Sequence, residues 1–151
     1  MYFDPEVLIM AIKMRFLYYS PSKKKFAAIG EFIKAKFQLP INAVDVIPPA
    51  YSCDKERLVI LGISVKDEPA DQLRLFCKEL TKARAQNVAL IIEGNDKGAD
   101  AIVNILKEAG TNVIPEILRI KGGFLPFLSS FKDDEKDQIG AWLDSVVAAL
   151  S

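Results

Sequence analysis

Short runs of consecutive apolar residues alternate along this chain with longer stretches in which apolar residues recur every three or four positions. The runs have strand length and the longer stretches have helical period. The first run predicts a strand over 12–19. A helix over 22–37 follows, with Phe26, Ile29, Ile33 and Phe37 on one face, and Pro40 closes the turn after it. A second strand spans 43–47. Pro48-Pro49 stops it, and a loop with Tyr51 and Cys53 follows, too short for a full helix. Leu58-Val59-Ile60-Leu61-Gly62 is a third strand, apolar on both faces as a central parallel strand should be. The spacing of Leu73, Phe76, Cys77 and Leu80 predicts a helix over 69–85. Val88-Ala89-Leu90-Ile91-Ile92 is the fourth strand, and Gly94-Asn95-Asp96 turns the chain. A helix over 99–109 stops at Gly110. A fifth strand over 113–120 leads into an apolar, Gly- and Pro-containing loop. The last helix spans 133–150, and Asp133, Asp134 and Glu135 suit its first turn by charge–dipole attraction.

Strands alternating with amphipathic helices predict an α/β fold, a doubly wound three-layer sandwich on a five-stranded parallel sheet. The expected strand order is 2-1-3-4-5. Residues 1–12 read as an N-terminal extension and 13–151 as the domain. The order places a switch point between strands one and three, where ligands bind beyond the carboxyl ends of the strands. Loops 20–25, 63–68 and 93–97 meet there. The first of them, Ser20-Pro21-Ser22-Lys23-Lys24-Lys25, joins a strand to a helix N-terminus, where unpaired N–H groups and the positive dipole end favour an anion. Three lysines in a first helical turn oppose the dipole, and an anion would compensate them. A merely solvated turn is the plainer reading.

Composition narrows the chemistry. A chain of 151 residues suffices for one domain with a proper core. A formal net charge of zero offers no global field for nucleic acid. The chain has no histidine, which excludes His-based triads, His metal sites and imidazole acid–base steps. Its two cysteines, Cys53 and Cys77, lie far apart without metal-ligand spacing, so a reducing cytoplasm is the expected compartment. Cys77 belongs to the core face of its helix, and Cys53 reads as exposed. The apolar residues 1–10 carry Asp4 and Glu6 and fall far short of a membrane span. They read as an extension packed on the domain or on a second subunit, with Met10 and Met14 as alternative starts.

Together these segments resemble the flavodoxin-like family over nearly the whole chain, from Lys13 to Leu150. The strand ending in Tyr19-Ser20 resembles that family's opening strand and phosphate loop. Residues 58–62 resemble its third strand and 88–92 its fourth. Ile105-Leu106-Lys107-Glu108-Ala109-Gly110 with a strand ending Ile120-Lys121-Gly122 resembles its closing unit. The resemblance implies an electron carrier that binds flavin mononucleotide (FMN). Ser20 and Ser22 hydroxyls and the N–H groups of Lys23, Lys24 and Lys25 would hold the phosphate. Ser64, Val65, Gly94, Asn95 and Asp96 would flank the ring through backbone contacts, and the lysines would raise the flavin potential. The chain departs from the family at Lys23, which stands where the phosphate loop has glycine, and at Lys25, which stands where it has threonine. Neither ring loop holds an aromatic residue, so stacking of roughly 1 kcal/mol per ring pair is absent there. Tyr51 is the ring that would have to swing in.

Rival ligands of the same strand order lack their residues. A phosphoacceptor domain needs acidic residues where Tyr19-Ser20 and Gly62-Ile63 stand. A cobalamin domain needs histidine, and a dinucleotide fold needs Gly-x-Gly-x-x-Gly. The alternative to FMN-dependent electron transfer is a module that keeps the fold, has lost the flavin, and serves as a protein-interaction or regulatory domain. A redox or regulatory protein is the expected partner, and neither nucleic acid nor membrane is. The apolar loop carrying Phe124, Leu125, Phe127, Leu128 and Phe131, or the N-terminal extension, would support a homodimer.

Overall fold

The computed structural model describes residues 12–120 and 133–151. β1 (Met14–Tyr19) leads into α1 (Lys23–Phe37), a single 3₁₀ turn (Ile41–Ala43) and β2 (Val44–Val46). β3 (Glu56–Val65), α2 (Asp71–Lys78), β4 (Ala85–Gly94) and α3 (Asp96–Ala109) follow. Two short strands, β5 (Asn112–Val113) and β6 (Leu118–Ile120), precede α4 (Asp133–Ala148). The sheet runs β2-β1-β3-β4-β5, with β6 also pairing β4, and every pairing is parallel. This is the expected order.

β3 and β4 are apolar throughout their centres because both faces are covered. Val59, Leu61 and Ile63 join Leu73 and Cys77 of α2 and Ile102 and Leu106 of α3 in one core. Leu58 and Ile60 join Phe26, Ile29, Ile33 and Phe37 of α1 and Trp142, Leu143 and Val146 of α4 in the other. Each such side chain, removed from water, contributes about 1.5–3 kcal/mol. Gly62 sets how closely α1 approaches. A Cβ there would stand 2.5 Å from the Phe26 ring.

Four expectations change. The helix over 69–85 ends at Lys78. Leu80 stays buried in a turn in which Arg84 and Ala85 both donate to Thr81 O, and Ala85 already begins β4. The fifth strand is split around Pro115, which has no N–H to give a ladder. β3 runs on to Val65 and β4 to Gly94, past the apolar runs. Cys53 is buried, not exposed. Gly110, in the left-handed conformation at φ 107°, closes α3 as expected.

Between β2 and β3 the chain returns without a helix. Ile47 donates to Tyr18 O at the carboxyl end of the sheet. By Tyr51 the strap has reached Arg15, near the start of β1. Residues 1–11 of the extension and the whole of the apolar 122–131 loop, the two surfaces expected to face a second subunit, lie outside the described residues. Among the described residues no helix is long and apolar enough to cross a membrane.

Candidate functional site

The parallel register sets Tyr19 beside Ile63 and Ser64 beside Glu93. Ser20, one residue beyond β1, therefore meets Ser64, and their hydroxyl oxygens are 2.6 Å apart. The Ser22 N–H donates to Ser20 Oγ at 2.9 Å. Ser64 Oγ donates to Glu93 Oε1 at 2.7 Å, so the hydroxyl proton between Ser20 and Ser64 belongs to Ser20. Ser22 Oγ adds a longer bond to Glu93 Oε1, at 3.3 Å. All these donors point one way, toward the Glu93 carboxylate. Its Oε2 is buried without a hydrogen-bond partner.

That arrangement takes up the Ser20, Ser22 and Ser64 hydroxyls and the Ser22 N–H, donors an anion in this loop would share. Ser22 is the N-cap of α1, yet its side chain makes no capping bond. Lys23 and Lys24 are exposed on the first turn and Lys25 is half-buried.

The second and third loops are joined to each other. Asn95 Nδ2 donates to Asp67 Oδ1 at 2.9 Å, and the Asp67 N–H donates to Asn95 Oδ1 at 3.0 Å. The same oxygen caps α3 by accepting from Gly98 N at 2.9 Å. The Asn95 N–H donates to Val65 O at 3.3 Å. Gly94 has φ 152°, and a Cβ there would stand 1.7 Å from Val65 O, so only glycine lets the loops close this far. From β6, Arg119 pairs with Asp96 at 2.6 Å and donates to Gly94 O at 3.0 Å.

The structure thus gathers Ser20, Ser22 and Ser64 into one network, and Val65, Gly94, Asn95 and Asp96 into a neighbouring one. Glu93 stood inside the third expected loop but had no assigned role. A lone carboxylate ending an apolar strand was the signal for it. Asp67 and Arg119 carried none.

The opposite, amino-terminal edge holds a second polar cluster. The N–H groups of Arg57 and Leu58 both donate to Lys13 O, at 2.8 and 3.2 Å, so two residues of β3 oppose one of β1, as in a bulge. Arg15 Nη1 donates to Tyr51 O at 2.5 Å and lies 3.8 Å from Cys53 Sγ. Lys13 sits 3.7 Å from Glu56 Oε1. Burial lifts the Glu56 carboxyl above its ordinary value, against the opposing pull of Lys13 and Arg15. Burial likewise lifts the Cys53 thiol, with Arg15 pulling it down.

Comparison with solved structures agrees with the fold. The chain superposes on a flavodoxin from the domain Archaea with a TM-score of 0.56 and 18% identity, covering 86% of this chain and 92% of that one. It superposes on oxidised flavodoxin 1 from Bacillus cereus with a TM-score of 0.54 and 16% identity, covering 91% and 98%. No family model matches the sequence, and no curated protein matches it. The chain has a flavodoxin-like fold.

The residues present do not fit FMN in the way the resemblance implied. A phosphate in the first loop would compete with the Glu93 carboxylate for Ser22 and Ser64. At about 4 Å and an effective dielectric of about 20, each unit of like charge costs about 4 kcal/mol. The two loops that would flank the ring are hydrogen-bonded to each other instead. Tyr51 cannot serve as the ring partner. Its carbonyl is held by Arg15 at the other end of β1 from Ser20, about five residues or ~16 Å away along the strand.

Proposed function

We propose that this protein is a flavodoxin-fold module that does not hold FMN and acts through contacts with a redox or regulatory protein. The observation that supports this most is the Glu93 carboxylate taking the Ser64 and Ser22 hydroxyls at 2.7 and 3.3 Å. An internal anion there engages the Ser22 and Ser64 hydroxyls and repels an external one. Among the described residues no group of His, Cys, Asp and Glu is arranged for a metal. Ile41, Val46 and Tyr51 expose apolar surface along and just beyond edge strand β2, at 86%, 41% and 67%, where a protein partner would find it.

A second reading keeps FMN and electron transfer. Its support is the convergence of three hydroxyls, Ser20, Ser22 and Ser64, beside a lysine-rich helix start. Bound there, FMN would supply the redox chemistry, and the protein would only hold it.

One titration separates the two. FMN fluorescence is followed as protein is added, for the natural sequence, Glu93→Gln, and the pair Lys23→Glu and Lys24→Glu. The first reading expects no saturable quenching by the natural sequence. Saturable micromolar quenching that the lysine reversals weaken overturns it in favour of the flavin carrier.

A further inference from the structure

The amino-terminal edge leaves apolar surface uncovered. A cavity of about 240 Å³ opens there, and Leu39, Pro40 and Ala43 supply apolar lining after α1. Tyr51 of the strap lines it as well, yet is 67% exposed. Ile41 lies between two lining residues, Pro40 and Asn42, and is 86% exposed. Burying a side chain of that size contributes about 1.5–3 kcal/mol, so an apolar cover is favoured here. At ~30 Å³ per water the cavity has room for about eight waters, close to two four-carbon side chains.

The chain itself stands at this cavity. Ile12, the first described residue, is part of the lining. Immediately before it the sequence reads Val7-Leu8-Ile9-Met10-Ala11, apolar without a break. Ile12, Met14 and Phe16 pack into the core shared with α1, so alternate positions of this stretch face that side of the sheet. The same period carried back groups Leu8 and Met10 with Ile12. At ~3.3 Å per residue Met10 lies within about 7 Å of Ile12 and Leu8 within about 13 Å. A tether that short holds the segment at a roughly millimolar effective concentration, which a free partner must exceed.

We infer that residues 7–11 dock in this cavity of their own chain, with Leu8 and Met10 against Leu39, Pro40 and Ala43 and the segment shielding Ile41. A protein partner that used Ile41 and Tyr51 would then have to displace it. That consequence rests on the protein-contact reading above, whereas the docking itself does not.

The test is NMR on the ¹⁵N-labelled full chain. The Ile9 and Ala11 amides should exchange at least about tenfold more slowly than in an unstructured chain. Leu8→Asp with Met10→Asp should remove that protection and shift the amides of Leu39, Ile41, Asn42 and Tyr51. The peaks of β3 and β4 should stay in place, as a kept fold requires. Ile41→Asp, a change at an exposed position, should remove the same protection from the cavity side. A nitroxide on Asn42→Cys should broaden residues 7–10 of its own molecule, and not those of nitroxide-free ¹⁵N-labelled chains mixed with it. The inference is overturned if Ile9 and Ala11 exchange freely, if the double substitution shifts none of the four amides, or if Ile41→Asp leaves the protection intact. Broadening that passes between molecules also overturns it and assigns the cavity to a second copy.

Discussion

Asn87 has no exposed surface, and its side chain makes four hydrogen bonds. Its Nδ2 donates to Arg57 O, and its Oδ1 accepts from Asn112 Nδ2 and from the N–H and hydroxyl of Ser151. Asn87→Ala strands several buried groups and leaves a void, so urea unfolding should show a loss of about 2–4 kcal/mol. Glu56 gives a pH signature. Its carboxyl holds a proton to higher pH in the folded than in the unfolded chain, whose value is near 4.5. The resulting stabilisation is full below that value and fades as pH rises through the folded value. Stability of the natural chain relative to Glu56→Gln should therefore fall from acidic to neutral pH, read by urea melts across that range. Burial pushes the Cys77 thiol up to about 12, and Cys53 is buried as well. A thiol reagent at mildly alkaline pH should label neither until the protein is unfolded. Fast labelling of either would contradict the burial.

Elements report on packing. The α1–sheet contact depends on Gly62, so Gly62→Ala should drive the new methyl into the Phe26 ring. Overpacking of this kind costs about 1–3 kcal/mol, and Phe26→Leu in the same chain should recover part of it, measured as a double-mutant cycle. The elements were mostly legible from pattern because β3 and β4 carry unbroken apolar runs and α1 keeps its period. The errors share a cause: periodicity reports burial, not hydrogen bonding. Leu80 is buried at helical spacing from Cys77 although the helix has ended. Ser64 and Glu93 are polar, yet they remain in the ladder. Pro115, visible in the sequence, breaks the fifth strand through the N–H it lacks.

The whole molecule shows why the site was less legible than the fold. Strand order followed from connection rules, and those same rules placed Ser20, Ser22 and Ser64 together. What occupies their hydroxyls depends on the side-chain register of one pair, Ser64 with Glu93, which no local pattern announces. The second cluster was hidden for a similar reason. Arg15 lies inside an apolar strand, and only the helix-free return of 47–55 brings Tyr51 and Cys53 back to it.

The carboxyl-edge network also carries a consequence in time. Ser22 waits 71 residues for Glu93. During synthesis β1 and α1 leave the ribosome long before β4, so the first loop faces solvent with its hydroxyls uncommitted until the fourth strand docks. The bond to Glu93 is thus among the last contacts this edge can form. A contact that forms late acts mainly on unfolding, so Glu93→Ala should quicken unfolding in stopped-flow experiments more than it slows refolding.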